Sequence, residues 1–232
     1  MSENKKIYFA SDLHLGMPSY EKALWREKLF VNWLDSIKSD AEEIYLLGDI
    51  FDFWYEYKRV VPRGFTRFLG KISEICDSGI PVHFFTGNHD IWVFDYLQKE
   101  TGVILHRKPL VKTINAKKFY LAHGDGLGPF DRKFKIMKNV FTNKFAQWMF
   151  SRLPPNFSVA IGNYWSVSKR VNYKYPEYKG EDKEWLILYA KSLLEKEHFD
   201  YFIFGHRHLP IELMLNETSK FLNLGDWLHN FT

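Results

Sequence analysis

Cysteine is nearly missing from this chain of 232 residues: Cys76 stands alone, so no intramolecular disulfide can form and no cysteine-based zinc site can be built. A reducing compartment suits such a sequence. Long apolar runs are missing too. No window approaches the roughly 18 to 20 apolar residues that a spanning helix needs, and the opening "MSENKKIYFASDLHLG" lacks the apolar stretch of a secretory signal. The expectation is a cytoplasmic protein that at most lies on a membrane. Internal repeats and low-complexity tracts are absent as well, and with 46% hydrophobic and 26% charged residues disorder is not the default.

Aromatic residues are abundant: 21 Phe, 13 Tyr and 8 Trp make up 18% of the chain, which serves either a dense core or an exposed surface for a greasy ligand. Charge is unevenly spread. Residues 129–180 hold ten Lys or Arg against two acids, although the whole chain nets only +4. A basic block of that kind suits an anionic partner or a solvated helical face.

The hydrophobic pattern alternates between two periods. "KIYFA" (6–10) reads as a strand ending at the polar loop "SDLHLG", and Leu24, Leu29, Phe30, Trp33, Leu34 and Ile37 recur at helical spacing. The grammar repeats in "EIYLL" followed by "GDIFDFW", a helix near 64–78, "PVHFF" followed by "TGNHD", and a helix near 93–101. Strands alternating with helices predict a parallel sheet covered on both faces. In the second half, "LVKTINAKKFYLAHGD" and "PIELMLNETSKFLNLGDW" read as hairpins around the strand "FDYFIFGHRH". Two sheets packed as a sandwich follow. Helical pattern over 130–150 and 157–173, then a charged helix near 182–197, fills the gap between them, so 126–180 is expected to be a cap inserted into a single domain spanning 1–232.

Polar residues collect just after these strands: Asp12 and His14; Asp49; Asn88, His89 and Asp90; His123 and Asp125; His206 and His208. A parallel sheet gathers its strand ends into one site. In an extended segment alternate residues share a face, so Asp12 with His14, and His206 with His208, can grip a metal from opposite sides. Imidazole, carboxylate and amide ligands suit manganese, iron or zinc better than magnesium or calcium. Seven ligands exceed one compact site, whereas two metals sharing a carboxylate fit, with Asp49, alone on its strand end, as the bridge. Two cations roughly 3.5 to 4 Å apart are suited to in-line phosphoester hydrolysis.

Together, "DLH" (12–14), "GD" (48–49), "GNHD" (87–90), "HGD" (123–125) and "GHRH" (205–208) resemble the calcineurin-like metallophosphoesterases, and these motifs span nearly the whole chain. The resemblance implies a four-layer αββα sandwich of two mixed sheets. It implies one metal held by Asp12, His14, Asp49 and His208, and a second by Asp49, Asn88, His123 and His206, both most simply manganese. It also implies that His89 is no ligand but a catalytic group facing the phosphate, steadied by Asp90. An imidazole that titrates near neutral pH is a suitable proton donor to a leaving oxygen.

Flanking residues in "SDLHLG", "GDIFDFW" and "LGDW" (224–227) are most similar to the UDP-2,3-diacylglucosamine hydrolases of lipid A synthesis, in which the helical insertion is a lid over acyl chains. Members of that group often carry Arg where this chain has His89. The resemblance implies cleavage of a UDP-linked lipid at its pyrophosphate, with Asn88, His89, Asp131, Ser168, Lys169, Arg170 and His206 contacting sugar or phosphate. The partner surface expected is an anionic membrane at the inner face, met by a cap with twelve aromatics in 129–180. Neither nucleic acid nor an obligate protein partner is expected. Competing readings are a relative acting on a soluble nucleotide, phosphodiester or phosphoprotein, and a non-catalytic scaffold, which would normally have lost ligands.

Other candidates have plainer explanations. His83, His106, His198 and His229 lie outside the motifs and read as surface or satisfied core. Asp52 and Asp125 are either partners of ligating imidazoles or solvated loop acids. Cys76 reads as core. Phe134, Phe141, Phe145 and Trp148 recur at helical spacing and serve either the packing of the cap or an acyl-binding face.

Overall fold

A computed structural model describes residues 5–128, 132–170 and 175–232. The first half builds a parallel sheet. Strands β1 (Lys6–Ala10), β2 (Ala41–Leu46), β3 (Val82–Phe85) and β4 (Ile104–His106) lie in that order, every pair parallel. Each connection crosses over through a helix: α1 (Tyr20–Ile37), α2 (Thr66–Asp77) and α3 (Tyr96–Thr101). Ser19 caps α1 by accepting from the Lys22 N–H at 3.4 Å. Helix α3 starts later than the periodicity of 93–101 predicts, because Trp92 pairs with Tyr55 in an isolated bridge that holds the chain extended.

The second sheet is mixed, in the order β5-β6-β7-β9-β8. Its strands are β5 (Leu110–Ile114), β6 (Lys117–Ala122), β7 (Tyr201–Phe204), β8 (Pro210–Met214) and β9 (Lys220–Leu224). The two expected hairpins, β5-β6 and β8-β9, form its antiparallel edges. Of the two sheets expected to be mixed, the first is wholly parallel among the described residues. β4, three residues long, is too short to show a period.

Strand alternation sorts the apolar side chains into layers. Ile44 and Leu46 of β2 face Phe30 and Leu34 of α1 and Phe68 and Ile72 of α2. Tyr45 and Leu47 face the other way and meet Phe85, Leu121 and Ile203 between the sheets. On the far side, Tyr120, Phe202, Phe204 and Phe221 pack on Leu186, Ile187 and Ala190 of α7 (Trp185–Leu194). Helix, sheet, sheet and helix are therefore stacked in four layers, each interface apolar. Helices α4 (Arg132–Thr142), α5 (Lys144–Phe150) and α6 (Pro155–Arg170) follow β6 in the chain and reach across to the loops after β2 and β3. There Tyr55 Oη donates to the Gln147 carbonyl and Trp92 Nε1 to the Phe141 carbonyl, each at 2.8 Å.

One titratable cluster lies away from the strand ends. His83 stacks on Tyr45 with ring centroids 4.3 Å apart, and its Nδ1 lies 2.9 Å from His106 Nε2. Lys112 reaches across from the second sheet to hold the Glu43 carboxylate at 2.6 Å. Burial, then the neighbouring His106, pushes the His83 ring down from 6.5 to about 4. The unfolded chain therefore binds a proton here that the folded one refuses, and stability is full above pH 6.5 and falls as pH drops toward 4. Replacing His83→Leu should flatten the slope of urea-measured stability against pH in that window by about one proton.

Candidate metal centre

Five loops converge, and all leave the carboxyl ends of the parallel-paired strands β1, β2, β3, β6 and β7. Backbone bonds fix their spacing: Asp12 N donates to Gly48 O and His14 N to Asp49 O, both at 3.0 Å, and Gly205 N to His123 O at 2.9 Å. Five side chains in these loops sit on left-handed backbone. Asp12, His14, Asp49, His206 and His208 have φ of 55°, 45°, 52°, 68° and 53°. Such strain clusters where a constellation of side chains matters more than local comfort. The glycines of the motifs have a separate cause. A Cβ on Gly87 would fall 2.2 Å from Asp49 Oδ1, and one on Gly205 would fall 2.5 Å from Asp12 Oδ2.

The functional atoms meet in two groups, Asp12 with His14 and His208, and Asp49 with His123 and His206, joined by a third, His14 with Asp49 and His89, that overlaps both; the atoms of each set lie within 4.8 Å of one another. Asp49 stands between them: its Oδ2 is 3.8 Å from His14 Nε2 and 3.3 Å from His123 Nε2. Within each group two imidazole nitrogens face one another, His14 Nε2 and His208 Nε2 at 3.2 Å, and His123 Nε2 and His206 Nδ1 at 3.3 Å. Two buried polar atoms, Asp12 Oδ1 and Asn88 Oδ1, have no hydrogen-bond partner. An unsatisfied buried oxygen is costly. Oxygens without hydrogens to accept and nitrogens converging in pairs are what a divalent cation satisfies, and this imidazole, carboxylate and amide set fits a borderline metal.

Partners behind the rings set their tautomers. His208 Nδ1 lies 3.0 Å from Asp226 Oδ2, His14 Nδ1 3.3 Å from Asp52 Oδ1, and His123 Nδ1 2.7 Å from the Leu47 carbonyl. Each partner only accepts, so Nδ1 carries the hydrogen and Nε2 presents its lone pair inward. Asp226 was not among the residues expected. Its signal was present in "LGDW", another Gly-Asp directly after a strand. Glu184 was also missed: its carboxylate clamps Arg207, the residue between His206 and His208, through bonds of 2.9 and 3.0 Å.

Charge explains the titration. Burial opposes a proton on His123, but the carboxylates of Asp49, Asp12 and Asp125 together outweigh it and raise the ring to about 10. The same ion pair holds Asp49 well below the usual carboxylate range against its own burial. His206 is pushed down to about 3 by burial and by the charge on His123.

Three expectations change at this point. Asp90 does not steady His89: its carboxylate is buried and accepts from the N–H groups of Gly87 (2.7 Å) and Ile50 (2.8 Å), tying the β2 and β3 loops together. His89 instead turns its Nδ1 to the Asp52 carbonyl at 2.8 Å, while its backbone N–H donates to Asp49 Oδ1 at 2.8 Å. Asp125 serves the cap, through an ion pair with Lys138 of α4 at 2.5 Å. The four aromatics of the cap divide: Phe134 lies beside His206, Phe141 lines a cavity, and Phe145 and Trp148 are exposed and stacked on each other. Asp131 lies outside the described residues. Ser168, Lys169 and Arg170 fall in the last turn of α6, with side chains that are not described.

Beyond Asn88 and His89 opens an apolar cavity of about 270 Å³, walled by Trp92, Phe141, Phe150 and Ile161. It lies between the candidate centre and the helices α4, α5 and α6.

Two measurements probe the centre. Because His123 keeps its proton up to about pH 10 without metal, loading at neutral pH must expel it. Calorimetry in buffers of different ionisation enthalpy should show proton release on manganese binding, with affinity rising from pH 6 to pH 8. Asp226→Asn should weaken the metal by about 10- to 100-fold while leaving the fold intact by circular dichroism.

Comparison with known proteins agrees with this geometry. The family model for calcineurin-like phosphoesterases matches residues 5–210. The chain is 38% identical to the UDP-2,3-diacylglucosamine hydrolase of Porphyromonas gingivalis, over 96% of this chain and 90% of that one. It is 27% identical to the protein of that name from Haemophilus influenzae, over 98% and 92%, and 28% identical to one from Vibrio vulnificus, over 94% and 88%. With its five strand-end motifs inside the matched region, the chain belongs to the calcineurin-like phosphoesterase family.

Proposed function

We propose that the protein is a metal-dependent hydrolase that cleaves the pyrophosphate of UDP-2,3-diacylglucosamine, yielding UMP and 2,3-diacylglucosamine 1-phosphate. One observation carries the reading. The Asp49 carboxylate, set between two histidine groups, opens past Asn88 and His89 directly into an apolar cavity, so phosphoester chemistry and a lipid share one chamber. Relatives that align over nearly the full length bear the name of this activity.

In this reading Asp12, His14, Asp49 and His208 hold one divalent cation, and Asp49, Asn88, His123 and His206 a second, with manganese the best match and iron or zinc of similar ligand preference. When bound, the pair supplies Lewis acidity to the phosphoryl oxygens and lowers the pKa of water. The chain supplies orientation and the proton. His89, held through Nδ1 by the Asp52 carbonyl and through its backbone by Asp49, delivers the proton to the leaving oxygen from Nε2. Trp92, Phe141 and Phe150 exclude water from the acyl side.

Residues 126–180 act here as a lid over the acyl chains. Its outer surface is apolar: Ile136, Phe145, Trp148, Met149, Phe157 and Tyr164 are all more than half exposed, and Arg152 stacks over Trp148 at 4.8 Å. That combination suits partial insertion into an anionic bilayer, with the cations at headgroup level. No helix among the described residues is long and apolar enough to cross a membrane. In this reading the protein sits peripherally at the cytoplasmic face of a membrane.

The purified protein with manganese should release UMP from UDP-2,3-diacylglucosamine and act far more slowly on UDP-GlcNAc; equal rates would defeat the acyl-lid reading. Asp49→Ala should abolish turnover. His89→Ala should keep full metal stoichiometry and lose roughly 10²- to 10⁴-fold in kcat, and a fall in stoichiometry would return His89 to the ligand set.

A further inference from the structure

The apolar cavity has a more polar neighbour. A second cavity, of about 330 Å³, begins at Leu15 and Gly16, directly after His14, and runs to Arg63 and Arg67. That volume is within the range of small-molecule sites, roughly 300 to 1,000 Å³. Among the described residues only Asp52 and Phe53 line both cavities. Phe53 therefore stands as the partition, with its ring against Gly162 of α6 so closely that a Cβ there would fall 2.3 Å from Cε2.

Among the described residues no Lys or Arg lines the apolar chamber. The second cavity is fed by the stretch 58–67, which carries Lys58, Arg59, Arg63 and Arg67 and no acid. Arg63 and Arg67 are exposed at its wall. The two acids in the same lining are turned elsewhere: Glu27 Oε1 accepts from the backbone N–H groups of Arg67 and Phe68 at 3.0 and 3.1 Å, and Asp52 Oδ1 lies 3.3 Å from His14 Nδ1. Planar guanidinium forks are suited to phosphate and carbonyl oxygens. Tyr20, 75% exposed in the same lining, offers a ring on which a planar base can stack. The floor is firm: Arg26 is buried under it and donates to the carbonyls of His14 (2.7 Å) and Met17 (2.5 Å).

A UDP-linked lipid has two ends that differ as these cavities do. We propose that the second cavity is the subsite for the nucleoside monophosphate end of the substrate, with Arg63 and Arg67 engaging its phosphate and base carbonyls and Tyr20 its base. The pyrophosphate then crosses the metal centre beside Asp52, and Phe53 separates the nucleotide from the acyl chains. This assignment rests on the UDP-lipid reading, since a substrate with one greasy and one planar anionic end is what requires both chambers.

The two products separate the two cavities experimentally. By calorimetry on the manganese-loaded protein, Arg63→Ala/Arg67→Ala should weaken UMP by about tenfold or more while 2,3-diacylglucosamine 1-phosphate stays within roughly twofold. Phe141→Ala should do the reverse. The lipid product also reports that the double variant is folded. Unchanged UMP affinity in the double variant, or equal loss of both products, overturns the subsite. If the parent cleaves UDP-2,3-diacylglucosamine while UMP binding ignores the arginines, the subsite falls and the substrate reading stands. If it cleaves no such lipid but binds UMP through the arginines, the subsite stands and the lipid reading falls.

Discussion

The buried Asp49 carboxylate is the constraint on which the rest of the centre depends. It draws a proton onto His123, repels none of the cations the site is shaped for, and accepts the N–H of His89. Room for it is made by removing side chains around it. Gly87 has no Cβ because Asp49 Oδ1 occupies that space, and Gly48 has none because the His123 ring does. A small set of steric exclusions thus explains why the motifs read Gly-Asp and Gly-Asn. Catalysis by charge needs such preorganisation, because groups already in place have no rearrangement to undergo as the reaction proceeds.

The architecture was legible to the extent that periodicity and strand ends are local. Alternation in "EIYLL" and "FDYFIF" announces strands, and a polar residue after each announces a site, because both follow from chain geometry within a few residues. The parallel character of the whole first sheet was less legible, since β4 is three residues long and carries no period. The metal-centre residues were named from five matching loops. Of their supports only Asp52 was named correctly, as a candidate partner of a ligating imidazole, and it lies 3.3 Å from His14 Nδ1. Asp226 reaches His208 across 18 residues, Glu184 reaches Arg207 across 23, and Asp52 reaches His89 across 37. Partnerships of that kind are decided by tertiary approach and leave no spacing to read. Asp90 misled for the opposite reason: its place next to His89 in sequence suggested a contact, while its side chain turned to the backbone of the neighbouring loop.

The cap shows how one composition serves several environments. Ten cations and twelve aromatics in 129–180 suggested a single greasy, basic face. In the structure Lys138 is spent on Asp125, Phe134 on His206, and Phe141 on the chamber, leaving Phe145, Trp148 and their neighbours outward. The cap is therefore joined to the centre by an ion pair and to the β2 and β3 loops by hydrogen bonds from Tyr55 and Trp92. Its inner and outer aromatics face different surroundings, one an apolar chamber and the other the bulk.

His14 and His208 approach to 3.2 Å from positions 194 residues apart in the chain. Contacts of such long range close late in folding, because the entropy of the intervening loop must be overcome before they form. A cation held between them clasps the first sheet to the second, as a disulfide would, in a chain whose single cysteine rules that out. Such an ion would have a mechanical duty besides its chemical one, fastening the start of the fold to its end.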